Sequence, residues 1–155
     1  MTMGRADRMN TDSAIARFSV LAVRRGLSMG ALSSGNPDDF ALVLAAAAAA
    51  FHSNRAYAER EVNDVLRHWL AHSGVMLDVD HVELRRWLVD NRLLGRDGFG
   101  RAYTRGSPAS EAGALAAVLE GVDLTEVAHD ARARNAAARE QRKRQWEQRN
   151  RTADA

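Results

Sequence analysis

Tyr57-Ala-Glu-Arg-Glu-Val-Asn-Asp-Val-Leu66 and Leu84-Arg-Arg-Trp-Leu-Val-Asp90 decide how this chain folds. In and just beyond the first, Val62, Val65, Leu66, Trp69 and Leu70 recur every three or four residues, with Arg60, Asp64, Arg67 and His68 off that face. This spacing predicts an amphipathic helix over about 59–71. The second predicts a helix over about 80–91 that buries Leu84, Trp87 and Leu88. Ser73-Gly74 turns the chain between them, and Val75-Met76-Leu77 bridges to the second helix. Leu93-Leu94-Gly95-Arg96 and Arg101-Ala102-Tyr103-Thr104-Arg105 then flank Asp97-Gly98-Phe99-Gly100, the composition of a β-hairpin.

Upstream, Asn36-Pro37-Asp38-Asp39 is a helix start. Asn caps, Pro is tolerated at the first position, and early acids suit the helix dipole. The helix that follows sets Phe40, Val43, Leu44, Ala47 and Phe51 on one stripe. Its alanine run, Ala45 to Ala50, favours helix and permits close backbone approach. The chain is therefore expected to be mainly α, with a winged helix-turn-helix-like domain of three helices plus a β-hairpin over 36–105.

Four segments are expected. Residues 1–35 form an N-terminal helix and loop, with 1–10 disordered and Met3 or Met9 as alternative starts. Thr11 or Asp12 would cap a helix bearing Ile15, Phe18, Leu21 and Ala22 that stops near Gly26, and 28–36 would be loop. After the 36–105 domain, 106–110 is a linker. Residues 111–155 form a basic C-terminal helical tail, with a short helix over 111–120 and a long one from 124 to about 150. The long helix has few apolar residues beyond Leu124, Val127, Ala128 and Ala131, so little of it should be buried.

Composition narrows the function classes. The 155 residues suffice for one core without staples, and the hydrophobic share of 46% is swollen by alanine. The absence of cysteine excludes disulfide and thiolate chemistry and fits a cytoplasmic protein. No apolar region follows Arg5 and Arg8, so a secretory signal is not expected. The apolar run from Phe40 to Phe51 is too short to span a bilayer, so no membrane partner is expected. Residues 132–155 carry a net +5, leaving −3 over residues 1–131. Only the tail is suited by charge alone to bind a polyanion.

Tyr57, Glu59, Glu61, Val62, Asn63 and Leu66, then Leu84, Arg85, Arg86, Leu88, Asp90, Leu94, Arg96 and Tyr103, form a distinctive pattern over roughly 40–105. In these residues the chain resembles a small bacterial domain family of unknown function, found in hypothetical proteins and attached to transcriptional regulators. The resemblance implies a compact helical domain with a hairpin, and no catalytic residues or cofactor. The chain departs from the pattern in a longer stretch between Leu66 and Leu84, in Thr104 after Tyr103, and in an acidic start at Asp38 and Asp39.

If the domain reads DNA, the helix over 80–91 enters the major groove and the wing contacts phosphate. Arg85 and Arg86 lie beside buried positions, so at least one faces outward. Arg92, Arg96, Arg101 and Arg105 flank them. Asp78, Asp80, Glu83 and Asp90 oppose that role, and Arg85 or Arg86 pairing with Glu61, Glu83 or Asp90 is the plainer alternative.

Arg132, Arg134, Arg139, Arg142, Lys143, Arg144, Arg149 and Arg151, with Trp146, form a tail site for nucleic acid or a protein partner. Otherwise they are a solvated helix with an ordinary Glu140–Arg144 pair. His68, His72 and His81 lack an organised third ligand and are expected to be surface residues, leaving no metal site and no cofactor. No nucleophile motif or phosphate loop suggests an enzyme. The expected function is a transcriptional regulator binding duplex DNA, with the tail adding non-specific affinity. The alternative is a non-catalytic adaptor for a protein or RNA partner, and a homodimer through Ala45 to Ala50 or the first helix is a third option.

Overall fold

A computed structural model describes residues 10–99 and 101–153. The expectations for residues 1–9, and for Gly100 in the hairpin turn, lie outside the described residues. Among the described residues there are seven helices and one three-stranded antiparallel sheet. No helix among them is long and apolar enough to cross a membrane.

Helix α1, Thr11–Ala22, is capped by Asn10 rather than Thr11 or Asp12: the Asn10 carboxamide accepts the Ser13 amide at 2.8 Å. It buries Ala14, Phe18, Leu21 and Ala22. The expected loop over 28–36 is instead largely a helix, α2, Met29–Gly35. Glycine and serine are poor helix formers, but Ser28 caps the turn and Met29 and Leu32 are buried, so tertiary packing overrides propensity.

Asn36 ends α2 and caps α3, Pro37–Ala48, with Pro37 in the first turn as the sequence predicts. Asp39 is buried and holds Arg17 of α1 through two hydrogen bonds of 2.6 and 2.7 Å. That bonding raises the Arg17 pKa above its ordinary value. The single apolar stripe expected on α3 is too narrow, because Leu42 to Ala48 are buried all round. α3 is the axis of the core, packed by α1, α2 and α6. The alanine run is thus consumed inside the chain, and Ala45 to Ala48 are not available to pair across a two-fold axis.

The short strand β1, Ala56–Tyr57, was not visible as a sequence pattern. It precedes α4, Glu59–Ala71, which has the predicted limits and buries Val62, Leu66 and Trp69. Ala58 offers no capping side chain, so Glu61 accepts the Ala58 amide at 3.1 Å. This bond, then Arg55, lowers the Glu61 pKa. Leu27 exchanges backbone hydrogen bonds with Met76 and Asp78, tying the α1–α2 turn to the segment that enters α5, His81–Asp90.

Asp80 caps α5, Leu84 and Leu88 are buried, and Trp87 sits edge-on to Phe40 at 5.4 Å. Arg92, at φ +61°, turns the chain out of α5 into β2, Leu94–Arg96, and β3 is Tyr103–Arg105. Strand order is β1-β3-β2, with Tyr57 opposite Tyr103 and Leu94 opposite Arg105.

Helix α6, Glu111–Leu119, packs along α3, and α7, Leu124–Ala153, packs its first turns against α1. The residues after 110 are therefore part core and part arm. Leu124, Ala128 and Ala131 are buried, and from Ala136 onward α7 is almost wholly exposed.

Candidate nucleic-acid interface

α5 and the β2–β3 hairpin share one exposed face, positioned from behind by a polar junction. Arg85 donates to Asn63 of α4 at 2.6 Å and lies 3.6 Å from Glu59, whose carboxylate also accepts Tyr103 Oη at 3.2 Å. Arg85 is therefore the interior member of the arginine pair. Its partners differ from the Glu61, Glu83 and Asp90 expected from sequence. Arg86 is exposed, and so are Arg92, Arg96 and Arg101. None of these four makes an ion pair among the described residues.

Val82, Arg85, Arg86, Val89, Asp90, Arg96 and Tyr103 line a cleft of about 320 Å³ between helix and hairpin. A charged group seated there meets two uncommitted guanidiniums, Arg86 and Arg96, and one carboxylate, Asp90.

Arg105 does not belong to this face. Its side chain is 5% exposed, bonds the Phe51 carbonyl at 3.0 Å and pairs with Glu120 at 3.3 Å. It fastens β3 to the α6 end of the core, because alternation along β3 turns it inward with Tyr103 while Thr104 faces out.

The acids on the segment are partly occupied. Asp80 accepts the Glu83 amide, Glu83 accepts Trp87 Nε1 at 3.4 Å, and Asp97 accepts the amides of Phe99 and Arg101. All five acids, Asp78, Asp80, Glu83, Asp90 and Asp97, are exposed. Sequence reasoning missed Phe99, which is 85% exposed at the hairpin tip with the Arg101 guanidinium 6.0 Å from its ring centre.

The tail residues divide in the same way. Arg132 is a clamp: Nε donates to Ala22 O at 3.0 Å, Nη1 to His72 O at 2.9 Å and Nη2 to Ser73 O at 3.4 Å. These carbonyls cluster where α1 and α4 end, so a cation meets the negative ends of two helix dipoles. Burial lowers the Arg132 pKa. Arg134, Arg139, Arg142, Lys143, Arg149 and Arg151 are exposed, Arg144 pairs with Glu140 at 3.7 Å, and Trp146 is 62% exposed. His68 and His72 stack at 4.2 Å, and His81 meets Arg67. Among the described residues no group of three His, Asp or Glu could hold a metal ion.

This is a mainly helical fold with a small three-stranded antiparallel sheet, whose hairpin and α5 share an exposed, arginine-bearing face. Residues 35–105 match the model of a family described as an uncharacterized protein conserved in bacteria (DUF2087). The matched segment runs from the end of α2 to the end of β3, the stretch that carries the face. No curated protein and no solved structure matches the chain.

Proposed function

We propose that residues 36–105 form a winged helix-turn-helix that binds duplex DNA, and that the protein is a transcriptional regulator. Helix α5 would read the major groove and the β2–β3 hairpin would serve as the wing. The element order supports this reading: helix, short strand, two helices, then a hairpin whose second strand lies between the first strand and its own partner. The observation that carries it is a set of four exposed arginines that make no ion pair among the described residues, Arg86 on α5 and Arg92, Arg96 and Arg101 around the hairpin. In this reading Arg86 would reach base edges, the others would contact phosphates, and Arg85 would hold α5 in position through Asn63.

A second reading makes this face a protein-docking surface of a non-catalytic adaptor. The exposed Asp78 and Asp90 on the same segment favour it, since they repel phosphate.

Fluorescence anisotropy with random duplex DNA across a salt series separates the two. In the full-length chain, Arg86→Ala/Arg96→Ala/Arg101→Ala should weaken duplex binding on the order of 100-fold, at about 1 kcal/mol or somewhat less per lost contact. It should also lower the slope of log affinity against log salt by about 2. Unchanged duplex binding in the triple variant excludes the α5–wing reading, and Arg85 must be left in place because its loss would disturb the fold. Truncation after Gly106 is not a usable comparison, because it strips α6 from α3.

A further inference from the structure

The stripe that anchors α7 continues after the helix leaves the body. Leu124, Ala128 and Ala131 are buried, and the same spacing of three and four runs on through Asn135, Ala138, Arg142, Trp146 and Arg149. Arg139 and Lys143 lie beside it. A face made only for docking would end or stay apolar; this one becomes cationic with an indole at its centre.

Arg139, Arg142, Lys143 and Arg149 are exposed and make no ion pair among the described residues. Glu140 and Glu147 fall on a neighbouring flank, where Glu140 is already paired with Arg144. The exposed part of α7, residues 136–153, extends for about 27 Å at the helical rise.

The chemistry selects the occupant. A second copy of this face would set like charge against like charge. Duplex nucleic acid would use the cations, but its stacked bases leave the indole without a partner. A single strand uses both, with phosphates along the cations and an unpaired base against the ring.

We propose that the Arg139–Arg149 face of α7 is a site for single-stranded nucleic acid, with Trp146 stacking on a base and Arg139, Arg142, Lys143 and Arg149 following the phosphates. It lies on different elements from α5 and the hairpin, so it stands or falls independently of the duplex-binding reading.

The test uses the full-length protein with oligo-rU and oligo-dT of about 12 nucleotides, within the span such sites cover, and a blunt duplex as third probe. Trp69 is buried and Trp87 is half-buried on α5, so the part of the quench that is lost in Trp146→Phe reports Trp146. Four cations predict a log–log salt slope of about −3 for a single strand. Trp146→Ala should weaken binding by roughly 5- to 150-fold, the range for one lost stacking contact. Trp146→Phe should abolish the quench while keeping most of the affinity.

Arg142→Gln/Arg149→Gln should lower the slope by about 1.4, and Arg144→Gln on the flank should leave it nearly unchanged. The Arg86→Ala/Arg96→Ala/Arg101→Ala variant should bind single strands like the parent, which separates this site from the face on α5. A preference between rU and dT identifies the source of the strand, and equal binding leaves the assignment to single strands intact. Absence of single-strand binding at low salt, indifference to Trp146→Ala, or a preference for the duplex that persists in the Arg86→Ala/Arg96→Ala/Arg101→Ala variant overturns the proposal.

Discussion

Replacing Gly106 with alanine is expected to destabilise the protein by about 3 kcal/mol, at the upper end of overpacking costs. A Cβ at this position would lie 1.9 Å from the Arg92 carbonyl oxygen and 3.0 Å from its carbon. The obstacle is backbone, so no rotamer change relieves it. Arg92 is itself held at φ +61°, and the Gly106 amide donates to Leu93 O at 2.8 Å. Moving either segment breaks that bond and disturbs the Leu94–Arg105 pairing that closes the hairpin. For a chain of this size the loss corresponds to a fall of about 6–12 °C in Tm. Gly98→Ala, where nothing lies within 4 Å of an added Cβ, should change Tm by no more than about 1–2 °C. Equal Tm values for the two variants would mean that the hairpin is not anchored to the end of α5 in this way.

Replacing Arg132 with methionine should cost roughly 1–3 kcal/mol, because it deprives three carbonyls at two helix ends of a charged donor. Methionine retains much of the stem packing, so the variant isolates the hydrogen bonds. Arg132→Lys should recover little, since one ammonium cannot reach Ala22, His72 and Ser73 together. The expected signature is local as well as global. Limited proteolysis should cut within the first turns of α7 sooner than in the parent, with Tm lower by about 2–12 °C. Arg134→Met, at an exposed position two residues on, should do neither. If Arg134→Met proves as damaging as Arg132→Met, Arg132 is not the clamp.

These two residues also mark where the sequence was legible and where it was not. The limits of α4 and the start of α3 follow from local signals: the Val62, Leu66, Trp69 spacing, and an Asn-Pro-Asp-Asp start. The hairpin followed from Asp97-Gly98 between short apolar runs. Strand β1 was hidden because a two-residue strand has no period, and its partner lies far along the chain. Helix α2 was hidden because Gly30, Ser33, Ser34 and Gly35 speak against helix, while Met29 and Leu32 speak only through what they bury.

At the candidate site, sequence supplied the arginines but not their directions. Arg85 and Arg86 are adjacent, yet one bonds Asn63 and the other faces solvent. Arg105 reads as a wing cation and is buried against Phe51 O, and Arg132 reads as tail and holds the core. In each case the deciding partner is a carbonyl or carboxamide distant in sequence, which charge patterning does not register.

The claim that the α5–hairpin face binds duplex DNA is tested most directly by following the arginine side-chain Nε–Hε signals of the full-length protein by NMR during titration with a short duplex. The account predicts that Arg86, Arg96 and Arg101 shift in parallel and saturate together, while Arg105 and Arg17, each already bonded within the fold, shift little. A titration in which those three stay fixed while other arginines respond would contradict it and move duplex binding off this face.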